Sequence, residues 1–261
     1  EYRKLRDATV NHARPLLEHS PMTLLLGGWD ASRKSHQGRY RSILVGEIIG
    51  ILADQDGGAE ANQSKRGGAR IDPLGARIQL DRAGRKAIAD AQKEELSKKT
   101  YDNSIGKDEK EGLARLGIGA IPPSLEQLGG VTCQAIIRSH VLSFAALRAL
   151  RFDSPTPQGD VGCRALLAAL ALNGLARSDA ELLLRANCDL VETGPAVVTL
   201  DKRYGQKESF EPLSIDQAQE LLSAAIDHAI QAANLTWDGS VLVVEGNPAI
   251  LAAATDDAQD D

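Results

Sequence analysis

The chain has 261 residues, 43% of them hydrophobic and 25% charged, which predicts a substantial core in one elaborated domain or two small ones and excludes disorder throughout. Aromatic residues make up only 3%, which argues against a mechanism built on many stacked bases. The formal net charge of −6 hides an asymmetry, with 24 Lys/Arg against 18 Asp/Glu up to residue 151 and 6 against 18 from residue 152 onward. That split predicts a basic working face and an acidic remainder, and would let the acidic part of one copy meet the basic part of another. A basic stripe is the electrostatic footprint of nucleic-acid binding even in an acidic protein.

Residues 1–17 read as a partly basic connecting segment or short helix closed by Pro15. Residues 23–29 are the first strand candidate. Gly27 and Gly28 follow an apolar run and lead into Trp29 and Asp30, then Arg33, Lys34, His36, Arg39 and Arg41, and the next acidic residue after Asp30 is Glu47. From Arg39 onward Ile43, Leu44, Ile48 and Ile49 fall at helical spacing, which predicts a helix over residues 39–52. The expected order is therefore strand, glycine-rich basic loop, helix. Such a loop gathers backbone N–H groups, a helix N-terminus and cations on one spot, the arrangement that holds phosphates. No Gly-Lys-Ser/Thr follows at phosphate-loop spacing, so the expected ligand is a polyanion rather than a nucleoside triphosphate.

Residues 54–130 change character: glycines and charges dominate, and the region reads as a partly mobile insertion with a charged helix over residues 82–99. Order resumes at Val131. A strand is expected over residues 131–137, helices over 141–150 and 164–176, and a loop at Pro155 and Pro157. Ser178 with Glu181 reads as a capping box opening a helix over 179–186, and residues 189–200 contain a β-branched strand. Residues 201–212 read as a polar loop. Ser214 with Gln217 forms a second capping box, starting a helix with Ala218, Leu221, Leu222, Ala225, Ile226, Ala229 and Ile230 on one face. Residues 240–245 read as a buried strand and the tail from Thr255 as frayed.

Alternation of strands and helices predicts a sheet layered with helices. No apolar run reaches the ~18 residues of a membrane span, and no secretory signal opens the chain. Cys133, Cys163 and Cys188 are odd in number and widely spaced, which points to reduced thiols in the cytoplasm rather than a zinc site or a disulfide scaffold.

Arg33, Lys34, Arg39 and Arg41 are the first candidates for phosphate contacts, four cations within nine residues, with Ser35 and Gly38 allowing close approach. Ser32, Ser35 and Gln37 offer hydrogen bonds to phosphates or 2′-hydroxyls. Trp29 reads first as a core or interface anchor and second as a base-stacking surface. Asp30 is a strand-end cap, a partner for Arg33 or Arg39, or with His36 an acid–base pair. Lys65, Arg66 and Arg70 form a basic hook in the insertion, Arg138, Ser139 and His140 follow the second strand, and Lys202, Arg203 and Tyr204 make a third contact loop. His12, His19 and His228 show no ligand spacing, so neither a metal nor a cofactor is assigned.

The segment from Leu24 to Gly50 resembles a block in the RAMP superfamily of CRISPR-associated proteins, and more narrowly the Cas-seven backbone subunit of type I-U/I-G Cascade. The matching positions are Leu25, Gly28, Trp29, Asp30, Ser32, Arg33, Arg39 and Glu47, with weaker agreement at residues 188–190 and around Phe210 and Leu213. The resemblance implies an α+β fold, a modified RRM-like (ferredoxin-like) palm formed by residues 1–53 and 131–250. Residues 54–130 would be the thumb or finger insertion and 251–261 an acidic tail. It further implies a non-enzymatic, cytoplasmic ribonucleoprotein subunit for antiviral defence. The implied partners are guide RNA (crRNA), the target DNA strand, further copies of the chain and other Cascade subunits, with no membrane. Two rival readings are an RNase of the same fold using Asp30, and a phosphate-ligand-binding enzyme using the Gly27-Gly28 loop.

Overall fold

A computed structural model describes residues 2–30, 38–52, 63–64, 80–94, 96–108, 112–113, 115–118, 130–131, 133–182, 190–237 and 243. Two compact units emerge: residues 1–28, 40–47 and 138–240 form the first, and residues 29–39, 48–137 and 241–261 the second. The fold is mixed α+β. The described strands pair two by two, β1 (Gly28–Asp30) with β2 (Gly38–Tyr40), β3 (Leu44–Leu52) with β6 (Cys133–Leu142), β4 (Gln63–Ser64) with β5 (Gly130–Val131), and β7 (Val198–Asp201) with β8 (Lys207–Phe210).

The first unit is organised by two helices, α7 (Pro157–Ala180) and α8 (Ile215–Ala233). Thr156 caps α7 by accepting from the Gly159 N–H at 3.2 Å, and Pro157 sits in the first turn, where its missing N–H costs nothing. From α7 Cys163, Leu166, Leu167, Ala169 and Ala171 are buried, and from α8 Ala218, Leu222, Ala229 and Ala233. Close approach depends on small residues: a Cβ on Gly162 would meet Ala229 Cα at 3.5 Å, and one on Gly159 would stand 2.7 Å from the Ala232 carbonyl oxygen. The expected capping box at Ser214 and Gln217 is present in both directions, at 3.2 and 3.0 Å. Leu221 alone of the predicted apolar face is well exposed, at 41%.

The N-terminal segment is three short helices, α1 (Tyr2–Arg6), α2 (Arg14–His19) and α3 (Pro21–Leu26). Pro15 lies in the first turn of α2 rather than closing the segment. Arg14 donates to the carbonyls of Ala233 and Asn234 while pairing with Glu18 at 2.9 Å, so a cation satisfies the acceptors at the end of α8. The Tyr40 hydroxyl lies 3.0–3.2 Å from the carbonyl oxygens of Leu5, Arg6 and Ala8, tying β2 to the N-terminus.

Several expectations are corrected. Residues 21–26, read as part of a strand, form helix α3. The expected helix over residues 39–52 is strand. Gly46 lies against His140 and Gly50 against Cys133, so β3 and β6 run in opposite directions. A Cβ at either glycine would come within 2.7 Å of the facing side chain. Glycines at these points penalise a helix and admit the cross-strand neighbours, while Val and Ile favour the pleated surface. Strand β6 extends to Leu142, beyond the expected end, and Ser143 then caps α6 (Phe144–Ala149). Helix α7 starts at Pro157 and runs through Asn173, Gly174 and Ser178, so the predicted Ser178 capping box does not exist. Residues 201–212 are largely the β7–β8 hairpin rather than a loop. The proposed strand at 240–245 lies outside the described residues except Val243, which is in no strand and 82% exposed. By length and composition α7 is apolar enough to cross a membrane, a property the run-length test missed. Its buried leucines belong to the first unit's core.

In the second unit α4 (Arg82–Ala91) and α5 (Lys98–Ser104) replace the single expected helix. Asp81 caps α4 and Ser97 caps α5. Leu80, Ile88, Ala89, Leu96, Leu113 and Leu116 bury a common cluster. Arg85 is also buried, donating to the carbonyls of Ser104, Leu80 and Gly106 at 3.3, 2.9 and 3.0 Å.

Candidate nucleic-acid interface

The best-defined candidate surface is on the β1–β2 ribbon. Trp29 is 67% exposed, so its reading as a core anchor is overturned. The Arg39 guanidinium carbon lies over the indole, 5.0 Å from the ring centroid, a cation–π geometry. Arg41, just past β2, is exposed. The two strands bracket residues 31–37, so Ser32, Arg33, Lys34, Ser35, His36 and Gln37 lie outside the described residues, as does the side chain of Asp30.

Gly27 and Gly28 do not form the expected anion cradle. They follow the C-terminal end of α3, where the helix dipole is negative, instead of preceding a helix N-terminus. Gly27 has φ 82° and ψ 166°, a conformation essentially reserved for glycine. A Cβ there would stand 2.9 Å from the Tyr40 carbonyl oxygen and 3.1 Å from the Ser42 nitrogen, both backbone atoms. Gly28 differs: its Cβ would meet the Thr23 methyl at 2.9 Å, a side-chain end that can turn away. Gly27→Ala is therefore expected to cost about 3 kcal/mol from strain and overpacking, and Gly28→Ala less than about 1 kcal/mol. Urea denaturation of both variants checks this; equal, small losses would refute the account.

The other described candidates lie on β6 and at the β7–β8 hairpin. Arg138, in β6, pairs with Asp179 and reaches Ser178 Oγ at 3.5 Å, so an acidic partner already occupies its guanidinium. Ser139 donates to Glu47 at 3.1 Å. His140 is exposed in β6, its ring over Gly46.

Lys202, Arg203 and Tyr204 stand at the tip of the β7–β8 hairpin, in a stretch where residues 201–217 are all exposed. Asp201 pairs with Lys207 in the ladder register, and the Lys202 N–H donates to the Gln206 carbonyl at 2.8 Å, closing the turn. The Lys202 ammonium pairs with Glu208 at 2.5 Å and Lys207 with Asp201 at 3.7 Å. Tyr204 is 94% exposed with φ 61°, an uncommon backbone state for a bulky residue. Lys65, Arg66 and Arg70 lie outside the described residues.

Among the described residues no group of three or more His, Cys, Asp or Glu could hold a metal ion. Burial pushes the Cys163 thiol up to about 11, which makes it a poor nucleophile at neutral pH. Asp90 on α4 accepts from the Tyr101 hydroxyl of α5 at 2.6 Å and from the Lys86 ammonium at 3.0 Å, bonds that hold its carboxyl below the ordinary range. Both bonds are internal to the helical cluster. Tyr40, which anchors the ribbon through its hydroxyl, was missed by sequence reasoning. Its one signal is an aromatic set between two arginines.

The described part of the β1–β2 ribbon thus presents an exposed arginine–tryptophan pair. Residues 1–55 match a family described as CRISPR-associated protein GSU0053. That match, to the part of the chain holding Trp29, Arg39 and Arg41, supports a CRISPR-associated protein with a role in CRISPR defence. No curated protein and no solved structure gives a match.

Proposed function

We propose that this chain is a guide-RNA-binding backbone subunit of a CRISPR effector complex, acting without catalysis. The observation that carries the reading is the exposed Trp29–Arg39 pair, within the 55 residues that match a CRISPR-associated family. Four cations from Arg33 to Arg41, with no acidic residue among them, provide charge to neutralise a phosphate backbone. Sequence-independent contacts of this kind suit a subunit that grips whatever guide it is given. Arg203 and Tyr204 at the hairpin tip supply a second, separate contact. In this reading the fold is a modified RRM-like palm carrying the 54–130 insertion. Several copies line the guide in the cytoplasm beside the other Cascade subunits, and the target DNA strand pairs with the exposed guide bases.

The test is the triple variant Arg33→Ala, Arg39→Ala, Arg41→Ala against the wild type. Wild-type protein is expected to copurify with RNA of one defined length and to bind single-stranded RNA with a steep salt dependence. Each phosphate contact removed lowers the slope of log K against log salt by about 0.7. Unchanged RNA association and assembly in the triple variant would overturn the proposal.

A further inference from the structure

We infer that Trp29 and Arg39 form a one-sided stacking platform for an unpaired nucleobase, a deepening that rests on the RNA-binding reading above. Arg39 occupies one face of the indole, its guanidinium carbon 5.0 Å from the centroid. Trp29 nevertheless keeps 67% of its surface accessible. With both faces covered only the ring edges would remain in water, so an exposure this large means that the second face is open. A large aromatic held in solvent gains nothing from packing. What it offers is a flat apolar surface that a planar π-system can cover.

The ring is also held before any ligand arrives. The arginine on one face limits the ring's rotamers, so less conformational freedom remains to be lost when a base stacks on the other side. A duplex hides its base faces in its own stack, which makes single-stranded nucleic acid the ligand class. Every base has a π-face, so the platform tolerates any sequence. This agrees with a guide whose sequence varies. The low aromatic content permits such a contact as long as one base per copy is stacked.

The experiment uses the full chain and three labelled strands of equal length, an oligoadenylate, an oligouridylate and an abasic ribose-phosphate strand. Binding is followed by fluorescence polarisation and, separately, by tryptophan emission. Binding of either base-bearing strand is expected to quench the emission, and the abasic strand is expected to bind without quenching. Trp29→Ala weakens the base-bearing strands by roughly 5- to 100-fold and leaves the abasic strand unaffected. Trp29→Phe restores most of that affinity while losing the quench, because Trp237 remains the sole indole. Equal affinity for the abasic and base-bearing strands, with no quench, overturns the platform while leaving RNA binding intact. Failure of the wild type to bind any strand at low salt overturns both readings together.

Discussion

Arg85→Ala is expected to unfold the helical cluster of the second unit, at a cost of about 3–5 kcal/mol. Arg85 is 4% exposed, and its guanidinium satisfies three carbonyl oxygens, those of Leu80, Ser104 and Gly106. Removing it orphans acceptors inside the cluster, each at about 1–3 kcal/mol where water cannot replace the donor, and leaves a cavity besides. The planar fork is what spans three acceptors on different segments, so Arg85→Lys recovers only part of the loss. Packing around the guanidinium is close: a Cβ on Gly112 would stand 2.9 Å from Arg85 Nε and 2.6 Å from the Ser104 carbonyl oxygen. Native-state hydrogen exchange reads the effect directly. Protection of amides in α4 and α5 should fall roughly a hundredfold or more, since 1.4 kcal/mol is a factor of ten. Wild-type protection there would sink the argument.

Phe152→Ala is the corresponding test of the first unit. Phe152 has 0% exposure and is the largest of the fully buried side chains. Its backbone N–H donates to Asp160 Oδ1 at 2.9 Å, fixing the chain where it leads into α7. Truncation removes an aromatic ring from a site whose neighbours are already tightly packed, and Phe→Ala changes of this kind cost about 3–5 kcal/mol. For a domain of this size the melting temperature should drop by about 6–20 °C. Phe152→Leu keeps most of the volume and should lose less than half as much. Melting curves of the two variants check the ranking, and an alanine variant as stable as the leucine one would contradict it.

How much of this was legible beforehand depends on the distance over which each element is decided. Helix α8 was readable because its start is local: Ser214 and Gln217 bond reciprocally within one turn, and the apolar residues behind them repeat at helical spacing. The false start at Ser178 used the same vocabulary, but there α7 simply continues, running to Ala180 before it ends. Residues 44–52 deceived for a related reason. Ile48 and Ile49 fit a helical stripe as well as they fit a strand, and the deciding facts, His140 over Gly46 and Cys133 against Gly50, come from residues nearly a hundred positions away. Likewise the first strand candidate was half helix, because Pro21 starts α3 and Gly27 ends it.

The sequence by itself determined the chemistry on offer: a run of cations from Arg33 to Arg41 without acids, an acidic second half, and no phosphate-loop motif. These are properties of composition and spacing, and folding does not change them. Only the tertiary structure decided which groups are available. Trp29 stands in solvent with Arg39 on one face, and Arg138 is held by Asp179. The Gly27-Gly28 pair serves close packing against Tyr40 instead of an anion. Availability depends on burial and on long-range partners. Neither is encoded in any short window, because both are set by which distant residues the fold brings within a few ångströms.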